Sequence, residues 1–297
     1  MISGRAAKIL LIDSNVYFAK RLGDALKREG FEIASNTQAT FALTALEYDT
    51  PTAIVCATRG EAGKIAEGVD ATPENLGVVR ERELRNACAA VGVYDVSFLD
   101  YVDGHLHEAD EAEAVGRIVY HLRRFRPDVV ATFEAKGGYG HLDHMAVHRH
   151  TLAAVVAAAD PKRYPEQIAQ GWQPHRVTKV YYTAIPRERL QEMRAEALKR
   201  GEDFIPGGDA GTIPVEEMGT PMAEITTFIR LNDNEFEAKK RSMFSHASQM
   251  PSDGPFRQAS AEELRSFMGT ETLTLAPPPI SARSFPARET NVFAGLE

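Results

Sequence analysis

Residues 128–144 read DVVATFEAKGGYGHLDH, and the character of the chain changes twice within that stretch. Asp128–Phe133 is a short apolar run rich in β-branched side chains, the pattern of a strand buried on both faces. Gly137, Gly138 and Gly140 follow, where a backbone can turn sharply without a side-chain penalty. From His144 the residues become strongly apolar at helical length, which predicts a helix over 144–159. A strand, a glycine-rich turn and a helix in that order form the repeating unit of an α/β fold.

The same alternation extends in both directions. Upstream, KILLI (8–12) reads as a strand, and Asp13-Ser14-Asn15 supplies cap residues for a helix over 16–29 that Gly30 ends. Strands are expected at 31–34, 52–57 and 96–99, and helices at 37–48, 75–91 and 111–125, the last stopping before Pro127. Downstream come a strand over 177–185, a charged helix over 187–200, a Gly- and Pro-rich lid or loop over 201–221, a strand over 223–231 and a helix over 233–246. The pattern predicts an α/β fold: a Rossmann-like, mostly parallel sheet with helices on both faces, plus a smaller C-terminal substrate or cap region. From residue 273, with Pro277, Pro278 and Pro279, an irregular tail is expected. Ligands in such folds gather beyond the carboxyl ends of the strands. Asp13, Thr58–Gly63, Asp100–Gly104 and Glu134–His144 all fall at those ends.

Composition narrows the function. The chain has 297 residues, 43% hydrophobic and 26% charged, with a formal charge of −8 spread without basic clusters. Nucleic acid and anionic membrane surfaces are therefore not expected partners. Neither a signal peptide nor a membrane span is evident, so the cytoplasm is the expected compartment. Cys56 and Cys88 lie in apolar contexts and read as small buried hydrophobes; a thiolate zinc site is excluded for want of a Cys-x-x-Cys pair. Residues 206–211 lack the Lys-Ser/Thr of a phosphate loop. His105, His107 and His121 read as surface groups. A homo-oligomer is compatible with a chain of this size.

His141, Asp143 and His144 concentrate imidazole and carboxylate where a helix opens, and these are the donors zinc takes in place of thiolate. The alternative is a capped helix start with Asp143 at the N-cap and exposed histidines.

The segment GHLDH (140–144) resembles a signature of the PIG-L/LmbE family of zinc-dependent N-deacetylases, with Leu142 in place of its usual proline. Thr58–Gly63 (TRGEAG), Arg80–Leu84 (REREL), Asp100–Gly104 (DYVDG), Arg126–Thr132 (RPDVVAT), Glu224–Thr227 (EITT) and Lys239–Gln249 (KKRSMFSHASQ) are similar to further family segments in order, over about residues 57–250. The resemblance implies hydrolysis of the acetamide of a small N-acetyl sugar conjugate, with Zn2+ as cofactor. It makes His144 a metal ligand. His141 would stabilise the oxyanion or protonate the leaving amine, with Asp143 tuning its charge. Tyr139 would hydrogen-bond the tetrahedral intermediate, Arg80 and Asp103 would hold sugar hydroxyls, and His246 would line the pocket. A solvated helix charge for Arg80, a turn residue for Asp103 and a helix-end surface group for His246 stay open as alternatives.

The family's first signature, Ala-His-Pro-Asp-Asp after strand one, is absent; the corresponding place reads Ile12-Asp13-Ser14-Asn15-Val16, and no histidine precedes His105. Asp13 is the acid at that position and the candidate second metal ligand. Residues 8–57 resemble instead half of a response-regulator receiver domain, with its phosphoacceptor position at Cys56 or Ala57, so phosphotransfer is not expected. The chain thus divides into a receiver-like βαβαβ segment merged into the sheet (1–57), a deacetylase-like domain (58–272) and a Pro-rich tail (273–297). Two readings stand: a metal-dependent N-deacetylase, or a non-catalytic descendant that binds a ligand or partner.

Overall fold

Uncharged apolar runs become the inner strands of one sheet. The structure, a computed structural model, describes residues 7–13, 50–199, 201, 213–250, 255–285 and 288–296. Its strands are β1 (Ile9–Asp13), β2 (Thr52–Cys56), β3 (Asp95–Phe98), β4 (Val129–Thr132), β5 (Lys179–Thr183), β6 (Thr227–Arg230) and β7 (Thr270–Leu275), in the spatial order β3-β2-β1-β4-β5-β7-β6. The first five run parallel; β7 is antiparallel to both β5 and β6. The order reverses between β1 and β4, and in open α/β sheets that reversal opens the ligand crevice.

Side chains alternate faces along each strand. Ile9 and Leu11 join Ile54, Val129 and Tyr181 beneath helices α1 (Leu76–Ala90), α6 (Asp233–Phe244) and α8 (Ala261–Met268). Leu10 and Ile12 join Val55, Val130 and Val180 beneath α2 (Glu111–Phe125) and α3 (Leu142–Ala158). Cys56 and Cys88 are buried thiols, and burial pushes Cys88 up to about 12. Helix α2 starts at Asp110, whose carboxylate accepts from Glu113 N at 2.8 Å, and α6 starts in a capping box of Asn232 and Glu235. Among the described residues no helix is long and apolar enough to cross a membrane.

The helix expected over 111–125 is present with those bounds, and the expected strands 52–57, 96–99, 128–133 and 177–185 and helices 75–91, 144–159, 187–200 and 233–246 are present with shifted ends. The strand expected over 223–231 shortens to β6, because Met222–Glu224 forms a single 3-10 turn after Pro221. The elements expected over 16–29, 31–34 and 37–48, and most of the lid, lie outside the described residues. Both flanks of β1 are taken, by β2 and β4, so the sheet does not follow a receiver's order, in which strands two and three flank strand one.

The C-terminal part needs correction. A tail beginning at 273 would cut through β7, which occupies the sheet between β5 and β6. Beyond it, Glu289 is buried against Lys179 of β5: Lys179 Nζ donates to Glu289 Oε1 at 2.7 Å and to the Tyr181 hydroxyl at 3.1 Å, while that hydroxyl donates to Glu289 Oε2 at 2.5 Å. Both members of the pair are fully buried. The cap is small: α5 (Arg187–Lys199) and residues 213–218 cover Tyr139 through Leu190 and Met218. Removing one partner of a buried pair strands the other charge, at about 3–5 kcal/mol. Glu289→Ala is therefore expected to lower unfolding stability by that amount in denaturant titration, and Lys179→Met with Glu289→Leu to lose markedly less.

Candidate active site

The site is built where β4 turns into α3. Glu134 organises the turn: its carboxylate accepts from Lys136 N and Gly138 N. Gly137 has φ 62°, and a Cβ there would lie 2.7 Å from the His144 Cβ, so a side chain is excluded by conformation and by space together. The Gly137 carbonyl accepts from His144 Nδ1 at 3.0 Å. That bond puts the ring proton on Nδ1 and leaves the buried Nε2 lone pair with no hydrogen-bond partner. The ring stacks on Phe133 at 4.1 Å and on His141 at 4.5 Å between centroids, with Tyr139 edge-on at 5.4 Å. Burial, with help from His141, pushes the His144 pKa well below the imidazole range.

His141, rather than Asp143, is the N-cap of α3. Its Nδ1 accepts from Asp143 N at 3.2 Å, so its own N–H sits on Nε2. Burial lowers its pKa, against the opposing field of Asp143. The Asp143 carboxylate is fully buried and faces the 104–107 loop: Oδ2 accepts from Gly104 N at 2.7 Å, and Oδ1 from His107 N at 3.3 Å and His107 Nδ1 at 3.2 Å. His107 is thus no free surface group, and neither is His121, which is buried and pushed down to about 4. His105 is exposed and bonded to Glu108 at 3.0 Å. His148, one turn after His144, donates from Nδ1 to the Phe133 carbonyl at 2.8 Å and fastens α3 to β4.

Arg80 and Asp103 are buried, not solvated. Arg80 donates to the carbonyls of Gly60 and Lys64, bracing the 58–64 loop; a Cβ on Gly63 would overlap its guanidinium. Asp103 accepts from Thr58 Oγ1 at 3.4 Å and Ala62 N at 3.2 Å. It is pushed from 3.8 up to about 6, by burial first and then by the charges of Glu61 and Asp143, against the pull of Arg80. His246 is buried beside that arginine, pushed down to about 3 by burial and the Arg80 charge, and neither ring nitrogen has a partner. The Gln249 amide, which sequence reasoning passed over, is equally buried and unpartnered. Asp13 is buried at the end of β1, paired in register with Cys56 at the end of β2, and its charge reaches that thiol.

Zinc, as the resemblance implies, wants three protein ligands and an open position. His144 Nε2, held by its Nδ1 bond, suits one of them. Among the described residues no three His, Cys, Asp or Glu side chains come together as a metal cage. Among the described residues the donor set that zinc usually takes is therefore incomplete.

Comparison with known proteins now decides the family. Residues 38–155 match the model "PIG-L: GlcNAc-PI de-N-acetylase". A 1D-myo-inositol 2-acetamido-2-deoxy-alpha-D-glucopyranoside deacetylase of Streptomyces avermitilis is 33% identical over 293 residues, covering 88% of this chain and 92% of that protein. The chain belongs to the PIG-L family. A mycothiol S-conjugate amidase of Streptomyces coelicolor is 30% identical over 268 residues, covering 82% and 86%. The fold is shared with an N,N'-diacetylchitobiose deacetylase from Pyrococcus horikoshii, at TM-score 0.60 and 17% identity over 92% of this chain and 84% of that one. The family match begins at Gln38, so the boundary expected near Thr58 falls inside this PIG-L protein's family segment.

The raised Asp103 sets a pH dependence. A carboxyl whose folded pKa exceeds its unfolded one stabilises fully below the unfolded value, and the benefit is lost as pH rises through the folded value. From about pH 4 to pH 6 the ionising Asp103 should cost up to about 3 kcal/mol. Asp103→Asn, melted across that range, should gain on the wild type as pH rises and hold its gain above pH 7. Parallel curves would contradict the assignment.

Proposed function

We propose that this PIG-L protein hydrolyses the acetamide of an N-acetylglucosamine joined to a second small polar unit. The observation that carries the reading is the stacked pair at the floor of the crevice: His144 with a bare Nε2, and His141 with Nε2 as its only N–H. The relatives' names, one a deacetylase of an inositol-linked acetamido sugar and one an amidase, support an amide of an amino sugar as the substrate class.

The chain's own groups divide the work. The carbonyl of a bound acetamide gains negative charge as it is attacked, and a pre-aimed N–H stabilises that charge best where water is excluded. His141 Nε2–H is such a donor, held by the Asp143 amide. Tyr139, edge-on to both rings, is assigned to the same oxyanion. Asp103 and Arg80 shape the sugar side, and His246 and Gln249 offer buried, unsatisfied groups to hydroxyls. Zinc is the metal we assign to the His144 and Asp13 donors. Among the described residues these are the two donors this reading assigns, where three are usual.

A second reading rests on residues 12–16, which lack the histidine of the family's first signature: the protein recognises the sugar conjugate without turning it over. The two separate cleanly, because turnover releases acetate from an N-acetylglucosaminyl-inositol and binding alone does not. Two free buried thiols and a small polar substrate suit the cytoplasm.

Protein stripped with chelator should take up zinc to one equivalent and recover acetate release, while His144→Ala takes up none, by elemental analysis and calorimetric titration. His141→Ala should keep zinc and lose about 10²–10³-fold in kcat. No zinc uptake and no acetate release by the wild type would overturn the deacetylase reading.

A further inference from the structure

His107 is the one side chain outside the 137–144 loop that bonds into the first turn of α3, by way of Asp143, among the described residues. Its place follows from the loop that carries it. Leu106 is buried against α3 and pins the 3-10 turn Leu106–Glu108, so the His107 ring leans on Asp143 while a quarter of it stays open to solvent. A carboxylate only accepts, so His107 Nδ1 is the donor of that bond, and its Nε2 faces Glu108 Oε1 at 3.7 Å, beyond hydrogen-bond reach.

We propose that His107 is a positioning residue for the reaction: by holding the Asp143 carboxylate against the 104–107 loop, it fixes the backbone N–H of Asp143 on His141 Nδ1 and so keeps the His141 proton on Nε2, facing the crevice. The bonds form a continuous series. His107 Nδ1 and two backbone amides hold the carboxylate; the same residue's amide holds His141 Nδ1; the remaining ring nitrogen carries the hydrogen. One fastening also ties the loop bearing Asp103, on the sugar side, to the turn bearing His141, on the amide side. The geometry is demanding, because a carboxylate free to rotate could reach round to its own helix amides or to the His141 ring, and either would compete for the proton.

The proposal rests on His141 acting as a donor in the deacetylase reading, but its central claim is read without turnover. Histidine-labelled protein at pH 8 reports each ring's tautomer through its 15N shifts. His141 should show the Nε2–H form in the wild type. In His107→Ala it should become a mixture of tautomers. His107→Asn places a side-chain N–H where Nδ1 stood and should restore the Nε2–H form; His107→Gln carries its amide one carbon too far and should not. With an N-acetylglucosaminyl-inositol substrate, kcat should fall roughly tenfold in the Ala and Gln variants, as for loss of a supporting hydrogen bond behind a site residue. It should return to within about threefold in Asn. A His141 tautomer unchanged in His107→Ala overturns the proposal, as does an Asn variant no better than Ala. A protein that shifts its tautomer as described but releases no acetate would sink the deacetylase reading and leave the positioning role standing.

Discussion

The hydrogen bond from His144 Nδ1 to the Gly137 carbonyl joins the end of a central strand to the first turn of the helix that follows it. For that carbonyl to point at the ring, Gly137 must adopt a left-handed backbone and lack a side chain, and Glu134 must gather the amides of the turn. Once made, the bond fixes which nitrogen of His144 is bare, seats the ring between Phe133 and His141, and leaves His141 to cap the helix. Histidine is an uncommon N-cap beside Ser, Thr, Asp and Asn. Its use here trades some helix stability for a ring whose one N–H is carried on Nε2.

Around this loop the protein keeps imidazoles neutral and crowds carboxylates. His141, His144 and His246 are all held below their ordinary range by burial, while Asp103 is held above its own by burial and by Glu61 and Asp143. Arg80 opposes that crowding and bears on both Asp103 and His246, so the two halves of the pocket share one buried cation. Such opposed shifts in one crevice mark a functional site more than a packing arrangement. The reversal of strand order between β1 and β4 falls at the strand that leads into this loop.

Much of this was legible in the residues, for local reasons. Gly137 to His144 are contiguous, and glycine and histidine in that order constrain both backbone and chemistry. The inner strands announced themselves because burial on both faces demands an unbroken apolar run. β7 did not: TETLTL alternates with threonine, precedes three prolines, and earns its place only by pairing with strands far away in sequence. The burial of Arg80 and Asp103 was equally hidden, since it depends on loops that converge only in the folded state. His107 looked like a surface residue because its partner lies 36 positions ahead.

The ion pair of Lys179 and Glu289 has a bearing on how the chain matures. Its members are 110 residues apart in sequence. While the protein is being synthesised, a strand in the middle of the sheet carries an ammonium group that cannot be comfortably enclosed until the segment bearing Glu289 has left the ribosome. The five parallel strands can assemble early, as emerging chains generally fold from the amino end. The flank bearing β7 must wait, and a nascent chain stalled short of Thr270 would present an open sheet edge to chaperones and proteases.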